Sequence, residues 1–202
     1  MRRPGAGLAS LHLDGRRLWG FLLFCVFLAT LEAFGDTGRE LLRYERLPIE
    51  QGEWWRLLTG HFVHLGWGHF ALNIMGLALM WALFFPDYRP GQWAWILLAS
   101  VVAIDVGFYF IERDLRWYVG LSGALHGVMA AGTLAHLRRR EPDSWILAPF
   151  LVGKLIWEQM HGAMPYSGDG GPVVVDAHLY GAIGGALGGA IALGLRAGRQ
   201  RL

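Results

Sequence analysis

The sequence predicts an all-α integral membrane protein, a bundle of six transmembrane helices with a long, partly membrane-embedded outer loop between spans one and two. Three observations carry this. Of 202 residues, 54% are apolar and 17% charged, with mean hydropathy +0.34, whereas a soluble domain carries about 25% charge. Six apolar stretches approach the roughly 17–25 residues that a spanning helix needs. Arginines gather on one side of those stretches, as they do in cytoplasmic loops.

The first stretch, Leu18–Phe34, follows a basic segment as a signal sequence would. Its apolar core is long and no convincing A-x-A site follows, so a retained span is expected. The others are His69–Phe85, Trp93–Ile111, Ser122–Leu137, Trp145–Met160 and Val173–Leu195. With the N-terminus inside, eleven arginines fall on inner segments and six on outer ones. The run Arg138, Arg139, Arg140 and the basic tail weigh most, because short loops dominate orientation. Residues 1–17 are thus expected to be a cytoplasmic N-terminal segment, 18–195 the membrane domain, and 196–202 a cytoplasmic basic tail. The outer loop Gly35–Gly68 mixes charge with Leu41, Tyr44, Trp54, Trp55 and Leu57, which suits amphipathic segments lying in the interface.

Composition also excludes. A net charge of +2, dispersed along the chain, gives no footprint for nucleic acid. Cys25 is the single cysteine, so an intramolecular disulfide cannot form. No H-E-x-x-H occurs, which removes support for a zinc protease, and no metal or cofactor is expected. Gly168-Asp169 lies in a glycine-rich loop off the spans, so an aspartyl protease has no support either.

Ser122 sits in Gly120-Leu121-Ser122-Gly123 at the head of the fourth span, and His178 heads the sixth. A serine hydroxyl is a weak nucleophile until a base takes its proton. Polar groups inside a membrane are costly and face a bundle interior or a wet cavity. The predicted orientation puts both near the outer membrane level. Gly123, Gly127 and Ala130 continue one face of the fourth span, and Gly181, Gly185 and Gly189 follow His178 on the sixth. Those small residues would let the two helices come close. A serine at a helix N-terminus also has unpaired backbone N–H groups beside it. On the second span, His69 and Asn73 are one turn apart and offer two donors for an oxyanion. Asp176, two residues before His178, points to another side of the helix, so a dyad is expected. Lys154 and Glu158, at i, i+4 on the fifth span, read equally as functional groups or as an ion pair facing a wet cavity. Asp105 on the third span is expected to be a hydrogen-bonded structural group.

Trp55-Arg56, His64, His69-x-x-x-Asn73, Gly-Leu-Ser-Gly at 120–123 and His178-x-x-Gly181-x-x-x-Gly185, in that order, resemble the rhomboid family of intramembrane serine proteases. The resemblance implies a six-helix bundle with Ser122 as nucleophile and His178 as base. It implies an oxyanion held by the Ser122 N–H with His69 and Asn73. It also implies a partly submerged outer loop bearing Trp55 and Arg56, and a mobile fifth span that admits substrate helices. Rhomboids often carry a tyrosine one turn after the serine; here His126 stands there. That string is similar to the rhombosortases, bacterial relatives associated with surface proteins that end in a Gly-Gly motif, a hydrophobic helix and a basic tail. The partners implied are such transmembrane substrates and membrane lipid. The implied location is a bacterial inner membrane, with both termini cytoplasmic and the site opening to the periplasm. His126 could stack on His178 or bond within the site. The competing reading is a non-catalytic relative that binds client helices without cutting them.

Overall fold

The computed structural model describes residues 15–164 and 173–199. The first fourteen residues, the Gly168-Asp169 pair and the last three residues of the tail lie outside that set. Among the described residues there are nine α-helices and one two-stranded pairing. In order these are α1 (Gly15–Ala33), α2 (Gly35–Leu42), β1 (Tyr44–Glu45), α3 (Arg46–Glu50), α4 (Arg56–Thr59) and α5 (Trp67–Phe84). There follow α6 (Pro90–Phe110), β2 (Trp117–Tyr118), α7 (Ser122–Arg139), α8 (Ser144–His161) and α9 (Asp176–Arg199). Each apolar stretch coincides with one long helix. The largest differences are at α9, which starts at Asp176 rather than Val173 and carries the first residues of the tail as helix.

Among the described residues, three segments are long and apolar enough to cross a membrane: Trp67–Asp87, Pro90–Phe110 and Asp176–Gly194. A fourth qualifies if α1 and α2, bent by 104° at their junction, count as one. These make the chain an integral membrane protein. The helix α7 falls short in hydropathy for a physical reason. It is the central helix, with Gly123, Ala124, Gly127, Ala131, Gly132 and Ala135 all buried, and a helix wrapped by protein needs small side chains more than lipophilic ones.

The core forms around α7. Phe84, Met80 and Leu28 meet Leu125, Val128 and Met129 on one side, and Leu151 of α8 joins them. On the other side α7 and α9 pack backbone to backbone: a Cβ at Gly181 would overlap the Gly123 carbonyl, and one at Gly185 would overlap Gly127. The third rung is Ala131 against Gly189, not the Ala130 expected from sequence. The glycines of α9 recur every four residues, so the facing contacts on α7 recur every four as well.

The segment between α1 and α5 is folded. Tyr44 pairs with Tyr118 and Glu45 with Trp117, antiparallel. Arg46 lays its guanidinium over carbonyls at and just beyond the C-terminus of α6, with Phe108 O at 2.6 Å and Glu112 O at 3.0 Å, which satisfies acceptors that a helix end leaves open. Arg56 is buried; its guanidinium donates to the Glu40 and Arg43 carbonyls at 2.7 and 3.0 Å and meets the Glu53 carboxylate at 2.6 Å. This loop therefore acts as a brace against the strand that leads into α7.

Candidate active site

The turn before α7 is held by two hydrogen bonds. The Tyr118 hydroxyl donates to the Gly120 carbonyl at 2.6 Å, and the Gly120 N–H donates to the Gly60 carbonyl at 3.0 Å. Burial raises the Tyr118 phenol above its usual range, which keeps it a donor. Gly120 has φ +128°, a conformation that side-chain-bearing residues rarely adopt. A Cβ there would stand 2.9 Å from His69 Cε1. Only glycine lets the chain turn this close to His69 and begin a helix at Ser122. The first backbone N–H groups of α7 then have no acceptor within the helix.

The close α7–α9 packing brings His178 Nε2 to 3.0 Å from Ser122 Oγ. The other ring nitrogen, Nδ1, lies 2.9 Å from Glu158 Oε2 on α8. The second oxygen of Glu158 receives Lys154 Nζ at 2.5 Å. His126 stacks on His178 with ring centroids 4.1 Å apart and planes 19° from parallel. Its Nδ1 also donates to the Ser122 carbonyl at 2.8 Å. Both of the roles left open for His126 are therefore filled by one ring. With both nitrogens of His178 engaged by Ser122 and Glu158, Asp176 has no place in the arrangement.

A cleft of about 220 Å³ opens on Ser122 and is lined by His69, Asn73, His126, Lys154 and His178 above Leu72, Met80 and Met129. Asn73 Nδ2 donates to the His69 carbonyl at 3.0 Å, and an amide nitrogen has a second N–H to offer. His69 Nδ1 accepts from the Leu65 N–H at 3.3 Å, so the neutral ring carries its proton on Nε2. Behind it His64 is fully buried, edge-on to His69 and Phe70.

Other sequence candidates fall elsewhere. Trp55 is half exposed and reaches the Leu41 carbonyl at 3.4 Å, and Arg56 braces the loop, so neither lines the cleft. Asp105 bonds His61 Nε2 at 3.2 Å. His126, Glu158 and His178 each bring one ligand-type atom within 4.8 Å of the others. The Lys154 ammonium on the same carboxylate opposes a cation there. The group that sequence reasoning did not connect is Glu158 to His178. An acid and a base one turn apart in an apolar helix was the available signal.

An integral membrane protein with a serine and a histidine in a cleft among apolar helices is the class that fold and site define. The chain belongs to the rhomboid family: residues 51–195 match the Rhomboid domain. YdcA of Bacillus subtilis (strain 168), a candidate rhomboid protease, is 27% identical over 153 residues, which cover 74% of this chain and 72% of YdcA. The rhomboid protease GluP of the same organism is 31% identical over 112 residues, 55% of this chain and 20% of GluP. The rhomboid protease GlpG of Klebsiella pneumoniae (strain 342) is 24% identical over 151 residues, 72% of this chain and 53% of GlpG. The chain thus spans only part of GlpG and a smaller part of GluP.

Proposed function

We propose that the protein is an intramembrane serine endopeptidase that cuts single-span membrane proteins at or near the outer end of their transmembrane helix. The observation that carries this reading is the 3.0 Å approach of His178 Nε2 to Ser122 Oγ in a cleft between helices. Ser122 Oγ attacks the scissile carbonyl while its proton passes to His178 Nε2. The carbonyl electron pair moves onto oxygen, where the Ser122 N–H, Asn73 Nδ2 and His69 Nε2 receive it. The imidazolium returns its proton to the leaving amine, and water then releases the acyl group by the same route.

All six long helices are read as spans, with both termini cytoplasmic and the cleft opening to the periplasmic side of a bacterial inner membrane. The substrate class is read as rhombosortase-type: a C-terminal Gly-Gly signal followed by a hydrophobic helix and a basic tail. His126 in place of the frequent tyrosine supports that reading. A Gly-Gly pair also suits the chemistry, since a regular helix shields its peptide bonds from attack.

Fluorophosphonate labelling of the purified protein tests the nucleophile. Label is expected on Ser122 and absent from Ser122→Ala; label surviving that substitution overturns the assignment. Mass spectrometry of surface-protein C-termini in Ser122→Ala cells tests the substrate class. Precursors retaining a Gly-Gly tail are expected to accumulate. Client capture unaffected by Ser122→Ala, with no cleavage by the wild type, would favour the client-binding alternative.

A further inference from the structure

We infer that Glu158 is the positioning residue of a three-member relay, Ser122–His178–Glu158, with Lys154 as its counter-ion; this rests on the serine-endopeptidase reading above. His178 can take the Ser122 proton only if the lone pair of Nε2 faces Oγ, which puts the ring proton on Nδ1. An ionised carboxylate has no proton to give. The 2.9 Å contact is therefore Nδ1–H donating to Glu158 Oε2, and it selects the required tautomer. Stacking on His126 sets the plane of the imidazole but leaves open the half-turn about Cβ–Cγ that keeps this plane and exchanges the ring edges. The bond to Glu158 removes that freedom.

The burial pattern separates this from a simple ion pair on α8. The Glu158 side chain is 0% exposed and that of His178 is 4% exposed. Lys154, on the same helix, already occupies Oε1. A pair that served only α8 would have no need of α9, yet Oε2 reaches across to the ring whose Nε2 meets the Ser122 hydroxyl. Charge and protons balance without a further group. As the Oγ–C bond forms, the serine proton goes to Nε2 and the ring becomes cationic against an anionic carboxylate. When the C–N bond breaks, the Nε2 proton leaves with the amine and the ring is neutral again. Glu158 stays ionised throughout, held by the ammonium on its other oxygen.

The test is the rate of fluorophosphonate reaction at Ser122 in the purified full-length protein. Glu158→Gln keeps the shape and removes the charge. It is expected to lower the maximal inactivation rate about 10²- to 10⁴-fold, with the probe's half-saturating concentration unchanged and the thermal midpoint lowered, because Lys154 loses its counter-charge. Glu158→Asp is expected to recover part of that rate, which a purely structural role would not predict. If Glu158→Gln fails to fold, the double variant Lys154→Gln/Glu158→Gln removes both charges together and is expected to lose the same rate. Wild-type rates in a folded charge-removed variant, with Ser122→Ala unlabelled, overturn the relay and leave the protease reading intact. No Ser122 labelling of the wild type overturns both.

Discussion

Gly181 and Gly123 meet backbone to backbone, so closely that a Cβ on Gly181 would overlap the Gly123 carbonyl oxygen. Gly181 lies one turn after His178, and Gly123 directly follows Ser122. This contact sets the depth of one functional side chain relative to the other. No side chain lies between the two helices at this level to absorb an error.

Gly181→Ala is therefore expected to force α9 away from α7. Overpacking of this kind costs about 3 kcal/mol, and it should abolish fluorophosphonate labelling. Gly194→Ala is the control: a Cβ there meets nothing within 4 Å, so thermal midpoint and labelling should match the wild type. Thermal unfolding in detergent with a parallel labelling assay checks both. A folded and fully active Gly181→Ala would show that helix spacing does not set the serine–histidine distance.

Gly120→Ala strains the turn ahead of Ser122 and presses on His69. A residue held in a sparsely populated backbone region costs about 1–3 kcal/mol. The expected result is a protein that folds with a lowered midpoint and reacts poorly, because Ser122 and His69 both move. Cleavage kinetics near wild type would contradict it.

On the proposed mechanism, Asn73→Ala removes one oxyanion donor while leaving Ser122 and His178 untouched. Removal of one such donor lowers kcat about 10²- to 10³-fold, with KM little changed because the donor acts on developing charge. A rise in KM at constant kcat would instead assign Asn73 to substrate binding.

His64 makes stability depend on pH. Burial, and secondarily the neighbouring His69, hold its pKa down to about 3, against an ordinary 6.5. Among the described residues neither ring nitrogen has a hydrogen-bond partner. The folded form therefore keeps His64 neutral while the unfolded chain takes up a proton below pH 6.5. Its contribution is intact above pH 6.5 and declines as pH falls from there toward 3, by about 1.4 kcal/mol per unit. His64→Phe should flatten that decline in thermal melts between pH 7 and pH 5. An unchanged slope would assign the decline to other groups.

How much of this could be read in the sequence follows from range. The start of α7 at Ser122 was legible, because a glycine turn, a serine and small residues at helical spacing are local signals. His178 at the head of α9 was legible for the same reason. The pairing of Tyr44 with Tyr118 was not, since a two-residue strand has no periodicity and its partner lies far along the chain. Nor was the part Arg56 plays in that loop, because the Glu40 and Arg43 carbonyls that it holds follow no local pattern. Glu158 was visible as a charged residue in an apolar segment. Which histidine it meets depends on how α8 is rotated against α9, and α8 itself carries no sign of that.

Lys154 also has a bearing on how the chain is made. On the proposed topology α8 enters the bilayer before α9, so Glu158 reaches the apolar phase before His178 exists as a partner. A lone acid opposes insertion by about 2.5–3.5 kcal/mol at a helix centre and by less in the last turn, where Glu158 lies. The lysine one turn earlier lets α8 enter with no net charge from this pair, and the second carboxylate oxygen waits until the last helix arrives to claim it.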